Sequence, residues 1–90
     1  MRVRYSPRAA EDLENIRRYI GTKNRSAAWV VASFIRQSIA RLVRWPHSAQ
    51  ATNVPGVRRL VVTNYPYVVY YAVAGEQVII LSVLHASADT

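Results

Sequence analysis

The stretch Tyr65-Pro66-Tyr67-Val68-Val69-Tyr70-Tyr71-Ala72-Val73-Ala74-Gly75-Glu76-Gln77-Val78-Ile79-Ile80-Leu81-Ser82-Val83-Leu84-His85 decides the fold. β-Branched and aromatic residues fill it on both sides of Ala74-Gly75-Glu76, which is the chemistry of two strands joined by a tight turn. A third run, Val57–Thr63, precedes it across the turn Asn64-Tyr65-Pro66. The three runs Val57–Thr63, Pro66–Ala74 and Gln77–His85 therefore predict an antiparallel meander.

Upstream the period changes. Arg2-Val3-Arg4-Tyr5 alternates and predicts a short strand with one apolar face. Ser6-Pro7 then starts a helix, with serine at the N-cap and proline in the first turn. Ala9, Leu13, Ile16 and Ile20 form its apolar stripe, and Gly21 is expected to end it. Glu11, Asp12 and Glu14 toward its start, and Arg17 and Arg18 toward its end, suit the helix dipole. Asn24 or Ser26 can cap a second helix running to about Trp45 and stopped by Pro46. Ala28, Val31, Ile35, Ser38, Ile39 and Leu42 are its expected buried stripe, with Phe34 beside it. Residues 46–56 have no period and read as a loop. The expectation is one α+β domain over residues 1–90, in the order β-α-α-β-β-β. Two antiparallel-packed helices would cover one face of a twisted, mainly antiparallel sheet and leave the other face available.

Twelve basic residues against five acidic give a net charge of +7, and eleven of the twelve are arginine. Arginine grips phosphates and carboxylates in a bidentate way, so such a surface suits a polyanion or an acidic protein. The chain has no cysteine, which excludes disulfides and thiolate metal sites. The charged start, Met1-Arg2-Val3-Arg4, has no signal-peptide pattern, and no run approaches the ~20 apolar residues of a membrane span. A cytoplasmic location without membrane contact is the expectation. There is no glycine-rich phosphate loop, His/Asp metal cluster or Ser-His-Asp set, and no cofactor is implied.

Gly56-Val57-Arg58-Arg59-Leu60, Tyr65-Pro66-Tyr67-Val68-Val69-Tyr70-Tyr71 and Val78 to His85 together resemble the C-terminal half of the RelE/ParE toxins. The N-terminal half is similar as well, through Tyr5-Ser6, the helix with Ala10, Asp12, Leu13, Ile16 and Tyr19-Ile20, and the Leu42-to-Pro46 ending of the second helix. The resemblance spans nearly the whole chain. It implies the toxin of a type II toxin–antitoxin system, wrapped and neutralised by a cognate acidic antitoxin, with operator DNA met only through that antitoxin. Two modes of poisoning are implied. One is cleavage of mRNA in the ribosome, and the other, in the ParE branch, is inhibition of DNA gyrase without hydrolysis. An inactive homologue that serves only in the antitoxin and operator complex is a third reading.

Metal-free RNA cleavage needs a base, an acid and cations on the phosphate. The candidates are His85, Arg58 and Arg59. Ribonuclease members commonly carry arginine where this chain has Tyr67, and many members of the family carry one two or three residues after the position of His85, where Ser87 and Ala88 stand here. The Tyr65-Pro66-Tyr67 turn is the ParE-like form, which favours the gyrase reading. A histidine ending an apolar strand is more often structural than catalytic. Arg58 and Arg59, being consecutive, must point to opposite faces, one toward a target or antitoxin and the other toward the rim of the helical layer. Tyr67 and Tyr71 share a face opposite Tyr70 and could stack on bases or contact a partner, although sheet tyrosines more often pack across strands. Trp29 falls off the buried stripe and is a candidate antitoxin contact. The very apolar run from Leu60 to Leu84 would also aggregate at an open edge, and a dedicated partner solves that problem.

Overall fold

A computed structural model describes residues 1–89. Strand β1 (Arg2–Tyr5) leads into helices α1 (Pro7–Gly21) and α2 (Arg25–Ala40). Strands β2 (Gln50–Ala51), β3 (Val57–Val61), β4 (Tyr67–Ala74) and β5 (Gln77–His85) follow. The predicted order is present, with one addition: the supposed loop contributes the two-residue β2, which pairs with β3 through Gln50↔Arg59 and Ala51↔Arg58. A two-residue edge strand carries no readable alternation, so the sequence gives no sign of it.

The Ser6 hydroxyl accepts the Ala9 amide at 3.0 Å, and Pro7 opens α1, as the cap motif requires. Two expectations about α1 need correcting. Its acids lie beyond the first turn, so they serve side-chain partners more than the helix dipole. Gly21 is the last helical residue and has no left-handed conformation; Thr22 caps the helix in right-handed geometry. Asn24 caps α2, its side chain accepting the Ala27 amide at 3.0 Å. That helix stops at Ala40, short of Trp45, and tightens into a 3₁₀ turn over Arg41–Val43.

The sheet order is β1-β5-β4-β3-β2, with β1 parallel to β5 and every other pair antiparallel. Thus β5, last in sequence, is second in the sheet. Its pairing with β4 slips by one residue: Tyr70 faces Ser82 while Tyr71 faces Ile80, leaving Leu81 as a bulge. Both helices pack on one face. There Tyr71, Ile35, Ile39, Leu42 and Ile80 are fully buried, with Ala9, Leu13, Val31, Val69 and Val83 around them.

Two side chains of the α1 segment finish the β5 edge. Strand β1 pairs with β5 only from Gln77 to Ile80. Beyond it, the Ser6 hydroxyl donates to the Leu81 carbonyl at 3.1 Å, and the Asp12 carboxylate accepts the Val83 amide at 2.9 Å. Buried backbone polar groups need partners, and here a helix supplies what a longer β1 would have given. Among the described residues no helix is long and apolar enough to cross a membrane.

Candidate functional site

Strand β3 sends its two arginines to opposite faces. Arg58 pairs with Tyr71 on the helical side. Its guanidinium donates to the carbonyls of His47 at 3.2 Å and Ala49 at 2.7 Å, pinning the segment after α2 to the sheet. This is the arginine at the rim of the helical layer. Arg59 pairs with Tyr70 on the other face.

His85 ends β5 opposite Tyr67, on the helical side. It borders a cleft of about 440 Å³ with Asn15, Ile16, Tyr19, Tyr67 and Ser87. Its Nδ1 accepts the Ser87 amide at 3.1 Å and lies 2.7 Å from the Ser87 hydroxyl, so the ring caps the 3₁₀ turn Ala86–Ala88. The three residues expected to share one phosphate are therefore not brought together. Arg58 and His85 sit four strand positions apart in register, roughly 13 Å along the sheet, and Arg59 lies behind it.

The aromatic candidates divide in the same way. Tyr71 is 0% exposed, and its hydroxyl donates to the Pro46 carbonyl at 2.8 Å. It is a core residue with no surface to offer a target or antitoxin, because its face is the one the helices cover. Tyr67 is 8% exposed and meets His85 edge-to-face at 5.5 Å. Burial raises the hydroxyl pKa of both tyrosines. Only Trp29 of the aromatic candidates is well exposed, at 62%. It flanks a cleft of about 390 Å³ between the helices, bordered by Tyr5, Leu13, Arg17 and Arg36. Arg17 lies 6.0 Å from the Trp29 ring and is paired at 2.6 Å with Glu14, which borders the same cleft, while Arg36 lies 6.0 Å from the Tyr5 ring.

The face away from the helices was expected to be free, and it is partly closed by the chain itself. After His85 the backbone turns, held by the Ala86 amide on the Pro66 carbonyl at 2.7 Å. Asp89 then reaches Tyr70 and Arg59. Its Oδ2 takes Arg59 Nε at 2.8 Å and a terminal nitrogen at 2.7 Å, and its Oδ1 accepts the Tyr70 hydroxyl. Tyr70 first and Arg59 second hold the Asp89 carboxyl below the usual aspartate range. The same hydrogen bond raises the Tyr70 hydroxyl. Val68, on this face between the two anchor points, is 1% exposed. The sequence offered only half of this cluster: strand parity puts Arg59 and Tyr70 on one side, but nothing local announces the return of Asp89. Among the described residues no three His, Cys, Asp or Glu side chains gather as a metal site.

Comparison with known proteins agrees with this architecture. Residues 3–90 match the family model described as the ParE toxin of the type II toxin-antitoxin system, parDE. A relative from Sinorhizobium fredii (strain NBRC 101917 / NGR234), named "Putative toxin Y4kP", is 32% identical over 85 residues, covering 94% of this chain and 88% of its own. A solved chain of the chromosomal ParDE TA system from P. aeruginosa superposes with a TM-score of 0.85 at 24% identity, covering 94% of this chain and 95% of that one.

Proposed function

The chain belongs to the ParE toxin family of type II toxin–antitoxin systems, and from that membership we propose that it arrests growth by inhibiting DNA gyrase without hydrolysis and is neutralised by a cognate acidic antitoxin. The observation that carries the non-hydrolytic mode is the dispersal of His85, Arg58 and Arg59. General acid–base cleavage of RNA needs its groups within hydrogen-bond reach of one phosphate. Here Arg58 is spent on backbone carbonyls, Arg59 on Asp89, and His85 stands alone at the far end of the opposite face.

Trp29 and the cleft beside it support a protein partner, since an exposed aromatic there borders a groove that also carries Arg36 and the Glu14-paired Arg17. The +7 charge acts in the same direction by steering an acidic protein toward the chain. Operator DNA is reached through the antitoxin, because neither helix presents base-reading side chains along a basic face.

The deciding experiment is controlled expression without antitoxin, followed by plasmid supercoiling, DNA-damage response and mRNA integrity. Loss of gyrase supercoiling with intact mRNA is expected. Messenger RNA cut inside ribosomes, with normal supercoiling, would establish the ribonuclease alternative instead. Undisturbed growth would leave a homologue that works only in the antitoxin complex.

A further inference from the structure

The Arg59, Tyr70 and Asp89 cluster lies on the face of the sheet away from the helices. Arg59 and Tyr70 are directly paired residues on neighbouring strands, so the sheet sets their spacing. Their donors converge on one carboxylate, with two guanidinium nitrogens on one oxygen and the phenol on the other. Both carboxylate oxygens are thus held, one by charge-assisted bonds from the guanidinium and the other by the phenol. Asp89 is a surface-segment residue, carried on a single 3₁₀ turn whose own anchors are the His85 cap and one backbone hydrogen bond. The receiving pair is built into the sheet, whereas the donated carboxylate is held by little else. The exposed Val61 lies on the same face, paired with the buried Val68.

We propose that Arg59 and Tyr70 form a carboxylate clamp for an acidic protein segment, and that Asp89 occupies it in the free chain until an Asp or Glu side chain of the partner takes its place. The proposal rests on the antitoxin reading for the identity of the partner, while the clamp stands on geometry alone. The partner it fits carries one carboxylate and an apolar neighbour, to replace Asp89 and cover the exposed Val61. With seven more positive than negative charges on the chain, an acidic segment is drawn to it over a neutral one. Affinity is reduced by the fraction of molecules in which Asp89 already fills the clamp, so the tail sets a threshold for capture.

Poly-L-glutamate is the carboxylate probe, titrated into the full chain while the backbone amide resonances of β3 and β4 are followed by NMR. Asp89→Asn keeps shape and removes the competing charge. It should bind the probe about three- to tenfold more tightly than the unmodified chain. Arg59→Gln combined with Asp89→Asn should abolish that gain, and Tyr70→Phe with Asp89→Asn should remove part of it. Equal affinity of the unmodified chain and Asp89→Asn overturns the proposal, as does a gain that persists without Arg59. The acidic protein of the adjoining reading frame, added in a second titration, should follow the same order of variants. If that protein does not bind the unmodified chain at all, the antitoxin reading fails, while the polyglutamate result still decides the clamp.

Discussion

The Asp12 carboxylate accepts the Val83 amide at 2.9 Å, joining the second turn of α1 to a strand 71 positions later. This bond closes the part of the β5 edge that the short β1 cannot reach. Replacing Asp12 by Ala leaves the Val83 N–H buried without a partner. The expected loss is about 1–3 kcal/mol, read as a lowered urea midpoint with an unchanged slope. An unchanged midpoint would mean that water substitutes freely for the carboxylate.

Tyr71 separates packing from polar satisfaction. Tyr71→Phe should cost about 1 kcal/mol by removing the hydrogen bond to the Pro46 carbonyl. Tyr71→Ala should cost about 3–5 kcal/mol, because it empties the centre of the core. Thermal unfolding of the two variants checks the order, and similar losses would show that the ring contributes little.

Growth arrest tests His85. Its ring caps a 3₁₀ turn, and no second group of the expected trio approaches it. His85→Ala should leave toxicity within about twofold, whereas loss of a true general acid or base costs about 10²–10⁴-fold. A collapse of toxicity with the fold intact by circular dichroism would return the ribonuclease reading to first place.

Trp29 is expected to matter for binding and not for stability. At 62% exposure its replacement by Ala should shift unfolding by no more than about 0.5 kcal/mol. A central aromatic contact is worth about 2 kcal/mol or more, so antitoxin affinity should fall at least about tenfold in calorimetry. Unchanged affinity would remove the cleft beside Trp29 from the interface.

The Asp89 tail should respond to acid in one direction. Its folded pKa is depressed, by the Tyr70 hydrogen bond first and Arg59 second. The anchorage is therefore complete above the ordinary aspartate value of about 4 and is lost only as pH falls through the lower, folded value. The Asp89 carboxyl carbon shift and the Tyr70 ring signals should hold steady from neutrality down to that range and then change together. Detachment of the tail at mildly acidic pH would contradict the pairing.

What was readable in the sequence was whatever is written in local periodicity. The Ser6-Pro7 and Asn24 starts, the α2 stripe through Ile35 and Ile39, and the three-strand meander all depend on neighbours a few residues apart. The parallel seating of β1 against β5 and the Leu81 bulge depend on how distant segments meet, and no period encodes them. Strand parity correctly divided Arg58 from Arg59, yet it could not tell which face the helices would take. For that reason Tyr71 was as plausible a contact as Trp29 until the core was seen. Asp89 was invisible for a related reason: one carboxylate in a short tail looks solvated unless the arginine across the sheet is known.

The position of β5 also has a consequence for how the toxin comes into being. It follows the other strands along the chain and lies between β1 and β4, so until it docks the sheet exists only as two unconnected pieces. Non-local pairing of this kind is slow and comes after the local helices have formed. A partly folded chain can therefore hold both helices and the β3–β4 hairpin while β1 stays apart from the rest of the sheet. Docking of β5 is therefore the step that joins the two halves of the sheet, and any partner that needs both halves at once can bind only after it.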